Sequence, residues 1–206
     1  LTQFDITKVE ALDWLSHLMV KYGRYEAAQQ TLYQAVLLSP QNIKRQRTLS
    51  NLNVIIGDKE AAARINGKLV AAARYSIEES AENYLNHARS LIDVAYSKNP
   101  LERTVILQNA SQLVDGVFRR DTDKLWFKAI NVVRSRILAA KGQLVEARQP
   151  LLDNGVADKT ETMTIDSCMD AAKAYFELGD IHSSQFYIDK LAGYLINDDY
   201  LTETQK

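Results

Sequence analysis

The amino-acid sequence predicts an all-α fold, a right-handed α-solenoid of about five antiparallel helix pairs. The chain of 206 residues contains only 8 Gly and 3 Pro, too few turn-forming residues for a sandwich or barrel of many short strands. Four glycines each separate two runs that have apolar residues at helical spacing: Gly23, Gly57, Gly142 and Gly179. The first two glycines lie 34 residues apart and the last two 37, so a helix pair recurs along the chain.

The first helix pair turns at Gly23 and ends at Pro40, which cannot continue a helix. Gly23 supplies the unhindered backbone conformation that the end of a helix needs. The small residues Ser16 and Ala28 allow the two helices to approach closely. Larger apolar residues then fill the space around that contact, and they are Leu12, Leu15 and Leu32.

The second and third pairs follow this pattern less closely. In the second pair, Asn53 and Asn66 stand where large apolar residues are expected, although Ser50 and Ala62 keep the small positions. The third pair has no glycine at its turn. Its first helical run lies between residues 79 and 98, Asn99-Pro100 breaks it, and a second run continues to residue 117. We therefore predict an irregular third pair.

The fourth pair turns at Gly142, and its apolar residues Ile130, Val133 and Ile137 precede that glycine with one residue too many. The fifth pair turns at Gly179 and has Cys168 at the first large position. We predict a single helical-repeat domain over residues 1–196, with a bend near 153–161, where turn formers cluster and the charge changes sign. Residues 197–206 are expected to form a flexible tail.

The first unit resembles the tetratricopeptide repeat (TPR), whose period is about 34 residues. The shared features are the order of large, large, small and aromatic positions, the small residue after the turn, and the closing proline. The resemblance implies a concave groove lined by the first helix of each pair. Asp13 and His17 stand where chaperone-binding TPR modules carry the Lys and Asn of a carboxylate clamp, so the resemblance does not extend to a chaperone co-factor role.

The composition argues against catalysis, cofactors and metal sites. A single Cys excludes an internal disulfide, and 3 His without paired Cys are too few for a structural zinc site. The sequence contains no glycine-rich phosphate loop. His17, His87 and His182 fall on three separate helix pairs, and Cys168 is expected to pack as a small apolar residue. We therefore predict a protein that is not an enzyme and has no cofactor or metal.

The sequence shows no sign of a membrane segment or a targeting signal. No apolar stretch approaches the ~18 residues that cross a bilayer, and no basic and apolar leader follows Leu1. These features, together with the cysteine usage, predict a cytoplasmic protein without membrane contact.

Charge is distributed unevenly along the chain. Residues 1–152 carry 21 Lys and Arg against 15 Asp and Glu, a net charge of +6, whereas residues 153–206 carry 4 against 11, a net charge of −7. The most basic stretch is 41–74, and its candidate surface residues are Arg45, Arg64, Lys68 and Arg74. A solvated helix face, an acidic partner and the acidic end of a neighbouring copy all fit this distribution.

Six polar residues are predicted to line the groove: Glu10, Asp13 and His17 on the first helix, and Lys44, Arg47 and Asn51 one repeat later. Two interpretations remain open. In the first, Glu10 and Asp13 pair with Lys44 and Arg47 of the next repeat and brace the stack, at a small gain per exposed pair. Alternatively, the Lys44, Arg47 and Asn51 side chains donate to the carboxylates or the backbone of a bound peptide.

A second resemblance covers roughly residues 10–95. Its motifs are Leu38-Ser39-Pro40, the basic run Lys44-Arg45-Gln46-Arg47, the turn Gly57-Asp58, and Ala73-Arg74-Tyr75-Ser76 leading into Asn83-Tyr84-Leu85. This run resembles the helical region that follows the receiver domain in a group of bacterial two-component response regulators with TPR output. The resemblance implies a phosphoacceptor receiver domain before Leu1. It also implies a place in a phosphorelay, with a kinase, another regulator or an output protein as partner.

We therefore interpret the chain as a non-catalytic protein-interaction module, the output region of a response regulator. The alternative is a transcription-linked or nucleic-acid-binding solenoid that uses the basic surface of residues 41–74. Tyr75 is the one aromatic residue between Tyr33 and Tyr84, which gives base stacking little support. A homodimer is a third interpretation, favoured if apolar residues of the first helices are exposed. The sequence leaves open the identity of the partner, the affinity, the orientation of a bound peptide and the oligomeric state.

Overall fold

The computed structural model describes residues 3–73, 80–153 and 165–196, and every regular element within these ranges is an α-helix. The ten helices are α1 (Gln3–Lys21), α2 (Tyr25–Leu38), α3 (Ile43–Ile56), α4 (Lys59–Ala73), α5 (Ala81–Ala95), α6 (Pro100–Arg120), α7 (Phe127–Ala140), α8 (Leu144–Leu152), α9 (Ile165–Glu177) and α10 (Ile181–Ile196). Arg74, the predicted tail and the predicted bend beyond Asp153 lie outside the described residues.

The helices form two compact units, Leu1–Ser97 with α1–α5 and Lys98–Lys206 with α6–α10. The boundary falls inside the predicted third pair, because α5 packs against α4 in the first unit and α6 packs against α7 in the second. Asn99 and Pro100 separate these two helices as expected: Asn99 caps α6 and Pro100 occupies its first turn. The single domain over residues 1–196 stays a prediction.

The four glycines that define the repeat lie between helices, as the sequence predicts. Their φ values are 70° at Gly23, 86° at Gly57, 81° at Gly142 and 73° at Gly179, all in the left-handed region that strains other residues. Each glycine separates the two helices of one antiparallel pair, so these four predicted turns are confirmed.

The core of the first unit forms where α2 packs against α1 and α3. Ala28 and Ala35 are fully buried on α2, which brings the neighbouring helices close, and Leu32 lies between them at 3% exposure. Val9 of α1 and Leu49 of α3 complete this cluster. The order of the contacts follows the order of the sequence, α1 on α2, α2 on α3, α3 on α4 and α4 on α5.

The core of the second unit forms around α7, α8, α9 and α10. Cys168 is fully buried there beside Ala171, as predicted, and burial raises the pKa of its thiol. Tyr175 and Tyr187 stack with their ring centroids 5.6 Å apart. Cys168 therefore packs as an apolar residue, and its raised pKa means that it gives little thiolate.

A serine hydroxyl joins the two helices of three pairs. In each case the Oγ atom donates to an alanine carbonyl twelve residues away: Ser16 to Ala28 at 3.1 Å, Ser50 to Ala62 at 3.3 Å, and Ser184 to Ala172 at 2.9 Å. The sequence predicts small side chains at these positions. The structure adds that the hydroxyl uses the close approach to satisfy a buried carbonyl.

The fourth pair has the same distance between its small residue and its turn glycine as the first pair. The extra residue that the sequence suggested before Gly142 is therefore not an insertion. Ser135 is fully buried and precedes Gly142 by seven residues, as Ser16 precedes Gly23. Ser135 therefore occupies the small position, and Val133 and Ile137 flank it. Its hydroxyl has no hydrogen-bond partner within the described residues.

Asn53 and Asn66, which stand at expected apolar positions, are buried and hydrogen-bonded. The Asn53 amide donates to the Leu49 carbonyl at 2.8 Å, and the Gln29 amide donates to Asn53 Oδ1 at 3.3 Å, which joins α2 to α3. Asn66 donates to Ser90 Oγ at 2.7 Å and joins α4 to α5. Polar bonds thus replace apolar packing between successive helices of the first unit.

A buried arginine is the main feature of the second unit that sequence reasoning missed. Arg136 of α7 is 1% exposed, and its Nη2 lies 3.0 Å from Glu177 Oε1, while its Nη1 lies 3.8 Å from Asp170 Oδ1. Both carboxylates belong to α9, so this cluster fixes α7 against α9. The available signal was a second arginine in α7, two residues after Arg134 and directly before the apolar Ile137.

His87 of α5 packs against Gly67 of α4. A Cβ on Gly67 would lie 3.3 Å from the His87 ring, so a side chain there would require the ring to shift by a few tenths of an ångström. Burial lowers the pKa of His87 below its ordinary value of 6.5. The Nδ1 atom is buried and has no hydrogen-bond partner in the described part of the chain.

This depressed pKa predicts the direction of a pH effect. As the pH falls below 6.5, the unfolded chain binds a proton at His87 before the folded chain does, so the free energy of unfolding decreases. Above that pH, His87 contributes no pH dependence. We expect His87→Gln to flatten the decrease in unfolding free energy between about pH 7 and pH 5, measured by urea unfolding. His182→Gln, at an exposed position, is the control, and equal slopes in both variants would contradict the account.

Candidate partner-binding groove

A groove of about 510 Å³ lies between α1 and α3 of the first unit. Its polar lining consists of Asp13, Ser16, His17, Asn42, Lys44, Arg45, Thr48 and Asn51, and its apolar part of Val20, Leu32, Leu52 and Ile55. Asp13, His17, Lys44 and Asn51 were predicted groove residues, and the structure brings these four together.

Local sequence signals place α3 at the mouth of the groove. The Asn42 side chain accepts from the Arg45 backbone N–H at 2.9 Å, and this cap starts α3 at Ile43. The first turn of α3 therefore presents Lys44 and Arg45 toward α1. On the other side, α1 runs uninterrupted to Lys21 before the turn at Gly23, so Asp13 and His17 lie on a regular helix.

The strongest contact in the groove is an ion pair between Asp13 and Arg45. Arg45 Nε lies 2.8 Å and 3.0 Å from the two Asp13 oxygens, and Arg45 Nη2 lies 2.7 Å from Asp13 Oδ2. The Arg45 side chain is only 13% exposed, so this two-pronged pair is partly shielded from water. The predicted brace between the first two repeats exists, but its basic partner is Arg45, not Lys44 or Arg47. Arg45 is therefore not part of an open basic surface.

Arg47 is not among the residues that line this α1/α3 groove. Its Nη2 donates to Asn83 Oδ1 at 2.9 Å, and Asn83 is a buried residue in the first turn of α5. Arg47 is half-buried and points toward the next helix pair, so it joins α3 to α5. Glu10 is exposed on α1 and is also absent from the groove lining.

The Lys44 ammonium is the positive charge of the groove that is available to a ligand. Arg45 and Asp13 neutralise each other, and within the described residues the exposed Lys44 ammonium forms no ion pair. Asn51 is exposed two turns further along α3, and the His17 ring meets the edge of Trp14 with the centroids 6.4 Å apart. The groove therefore offers an ammonium, an amide and an imidazole that can donate to a bound carboxylate or peptide carbonyl.

An apolar surface continues from these donors. Leu32 and Leu52 form the floor and are nearly fully buried, while Val20 is half-buried and Ile55 is 56% exposed. These apolar residues line the same groove as Lys44 and Asn51. A site of few placed polar groups beside apolar walls is typical of ligand-binding clefts.

The predicted basic surface of residues 41–74 is divided by the fold. Arg64 and Lys68 are exposed on α4, whereas Arg45 and Arg47 of α3 bond to groups within the first unit. Arg74 lies outside the described residues. Fewer cations are thus available to phosphates than the sequence suggests, which weakens the nucleic-acid alternative.

Across residues 3–73, 80–153 and 165–196, no group of three or more His, Cys, Asp or Glu side chains is placed to hold a metal ion. None of the helices in those ranges combines the length and the apolar character that crossing a bilayer requires.

No protein-family model and no curated protein matches this sequence. The structure is similar to that of a thermophilic TPR protein from Thermus thermophilus, with a TM-score of 0.62 and 16% identity over 95% of this chain and 96% of that one. A tetratricopeptide repeat protein from Parabacteroides merdae gives a TM-score of 0.62 and 14% identity over 90% of this chain and 64% of that one. The structure of the MamA protein is similar with a TM-score of 0.57 and 13% identity over 93% of each chain. The predicted all-α, TPR-like fold class is confirmed.

Proposed function

We propose that this chain is a non-catalytic protein-interaction module and that its α1/α3 groove binds an extended segment of a partner protein. The observation that carries the proposal is that the exposed Lys44 and Asn51, two turns apart on α3, line the same groove as the apolar Leu32, Leu52 and Ile55. The matching ligand is a segment with a carboxylate next to an apolar side chain. Lys44 pairs with the carboxylate, Asn51 donates to the peptide backbone, and the apolar side chain covers Leu52 and Ile55.

The Asp13–Arg45 pair gives the groove a fixed shape before a ligand arrives. It joins α1 to α3 across the groove, and its two-pronged geometry limits how far the two helices can separate. A groove that is already open loses little entropy when it binds. Asp13 and Arg45 are therefore positioning residues in this proposal, while Lys44 and Asn51 contact the ligand.

We further propose that the module is the output region of a bacterial response regulator, acting in the cytoplasm on a kinase, a regulator or an output protein. The resemblance of residues 10–95 to such regions supports this, and the groove falls within the same residues. The test is the natural sequence before Leu1. We expect a domain there that takes up phosphate from acetyl phosphate on an aspartate. A natural gene that encodes no such domain would contradict this part of the proposal.

Lys44→Glu tests the groove directly. A random peptide library is selected on the wild-type chain, and the affinity of one enriched acidic and apolar peptide is measured by fluorescence anisotropy. Loss of a charge-assisted hydrogen bond of about 1.5–3 kcal/mol predicts an affinity about 10- to 150-fold weaker. Lys44 is exposed and unpaired within the described residues, so the melting temperature should stay nearly unchanged.

Lys68→Glu is the matched control, because it makes the same charge change at an exposed position on α4. The proposal expects this variant to bind the peptide with wild-type affinity. Equal weakening by both variants would mean that net charge, not the groove, attracts the peptide. Enrichment of peptides without any acidic residue would also contradict the proposed ligand.

A further inference from the structure

We infer that copies of this chain associate head to tail, with the exposed face of α1 in one copy packed against the exposed face of α10 in the next. The exposed residues of the two faces have the same spacing along their helices, and neither face has a charged residue along its centre. Positive charges are in excess at the border of the α1 face, and negative charges are in excess at the border of the α10 face. Both faces lie outside the peptide groove, so this association does not depend on the proposed function.

The α1 face is an uncharged stripe about 100° wide. Trp14 is 75% exposed, Leu18 49% and Tyr22, just after the helix, 73%. Thr7 and Ala11 extend the stripe toward the N-terminus with the spacing i, i+4, i+7, i+11. A tryptophan and a tyrosine this exposed on one helix face are unusual for a surface that stays in water.

The α10 face repeats this spacing in the second unit. Ile181 is 59% exposed and Ile188 47%, and the exposed residues Gln185 and Ala192 complete the stripe. Gln185, its one polar member, donates to Asp189 Oδ1 at 2.8 Å, so its amide is already bonded. Both stripes therefore present four positions over about 16 Å of helix, with large side chains on one and smaller ones on the other.

The charges that border the two stripes are complementary. Lys8 and Lys21 border the α1 stripe, with Glu10 on the same side as Lys21, and these residues are all exposed. Asp189 borders the α10 stripe and Asp180 precedes its first residue. A hydrogen bond from the Ser183 backbone lowers the pKa of Asp180, and the nearby Arg148 and His182 lower it further, so this carboxylate is charged near neutral pH and is partly balanced by Arg148 of its own unit. Pairing of two α1 stripes would bring lysines together instead, which favours α10 as the partner.

The area of the two faces fits a specific but weak interface. The exposed apolar parts of Trp14, Leu15, Leu18 and Tyr22 together with those of the α10 stripe amount to roughly 750 Å², compared with about 900 Å² of apolar area in a standard interface of about 1,600 Å². Because the two faces differ, the contact is heterologous, and association continues beyond a dimer unless the copies close into a ring.

The test uses one variant of each face in the full chain. Trp14→Glu blocks the α1 face and Ile188→Glu blocks the α10 face, and Val145→Glu on α8, at an 82% exposed apolar residue outside both stripes, is the control. We expect wild type and the control to increase in mass with concentration in analytical ultracentrifugation. Each blocked variant alone should stay at the monomer mass of 23.3 kDa.

The decisive sample is an equal mixture of the two blocked variants. Each retains one intact face, so we expect the mixture to form a one-to-one dimer and nothing larger. Loss of association in Trp14→Glu alone, with Ile188→Glu unaffected, would overturn the inference in favour of α1 pairing with α1. A wild-type chain that stays monomeric at every concentration would overturn it entirely. Ala192→Glu replaces Ile188→Glu if circular dichroism shows that the latter alters the fold.

Discussion

Arg136→Ala is expected to lower the free energy of unfolding by about 3–5 kcal/mol, because it leaves the Glu177 and Asp170 carboxylates buried without their cation. The side chains of these two residues are 13% and 8% exposed, so water compensates little for the lost charge. Urea unfolding followed by circular dichroism measures the change. Loss of this cluster also removes a link between α7 and α9, so the transition should broaden or shift without loss of helix at low urea.

Two further variants show whether charge is the cause. Arg148→Ala removes an exposed arginine from α8 and should change the unfolding free energy by less than about 0.5 kcal/mol. Arg136→Lys keeps the positive charge but loses the planar fork, so its effect should fall between those of wild type and Arg136→Ala. A loss in Arg136→Lys as large as in Arg136→Ala would show that geometry alone, not charge, holds the cluster.

Leu32→Ala should destabilise the first unit by about 2–5 kcal/mol, because Leu32 is 3% exposed and removal of its side chain leaves a cavity. Leu32 contacts the core between α2 and α3 and also forms part of the groove floor. The matched control is Leu37→Ala on the same helix, at 56% exposure, with an expected change below about 0.5 kcal/mol.

Hydrogen exchange locates the effect of Leu32→Ala. We expect faster exchange at amides of α1, α2 and α3 than in wild type, because these helices share the Leu32 core. Faster exchange confined to α2 would mean that the helices do not depend on a common core. Similar unfolding free energies for Leu32→Ala and Leu37→Ala would contradict the packing described for the first unit.

The fold was predictable because its signals are local. Gly23, Gly57, Gly142 and Gly179 mark the turns by a backbone conformation that other residues avoid, and this property does not depend on distant partners. The small residues at fixed distances from these glycines mark the helix contacts in the same way. The predicted third pair had weaker signals, since no glycine marks its turn, and α5 and α6 fall in different compact units.

The groove was only partly predictable. Shifting the pattern of the first repeat along the sequence shows which residues correspond, but it does not show which flank of a helix faces the groove. A shift of 34 residues maps Asp13 onto Arg47, but a residue between α1 and α3 must lie on the flank of α3 that faces α1. Arg45 and Thr48 lie on that flank, whereas Arg47 faces α5. A rotation of about 100°, one residue, separates the two flanks.

Polar contacts across long sequence separations were not predictable. Arg136 and Glu177 lie 41 residues apart, and nothing in either local sequence indicates the other. Ser16 was predicted for its size, yet its hydroxyl also bonds to Ala28. Asn53 and Asn66 looked like defects in the repeat and are instead hydrogen-bonded links between helices. Such contacts depend on the three-dimensional placement of both partners.

The most direct test of the groove is a two-dimensional NMR titration of the isotopically labelled chain with an enriched acidic and apolar peptide. We predict that the peptide shifts the amide signals of Lys44, Thr48 and Asn51 on α3 and of His17 and Val20 on α1. The signals of Arg64 and Lys68 on α4 should stay in place. Shifts concentrated on α4, or absent from α1 and α3, would contradict the proposed binding site.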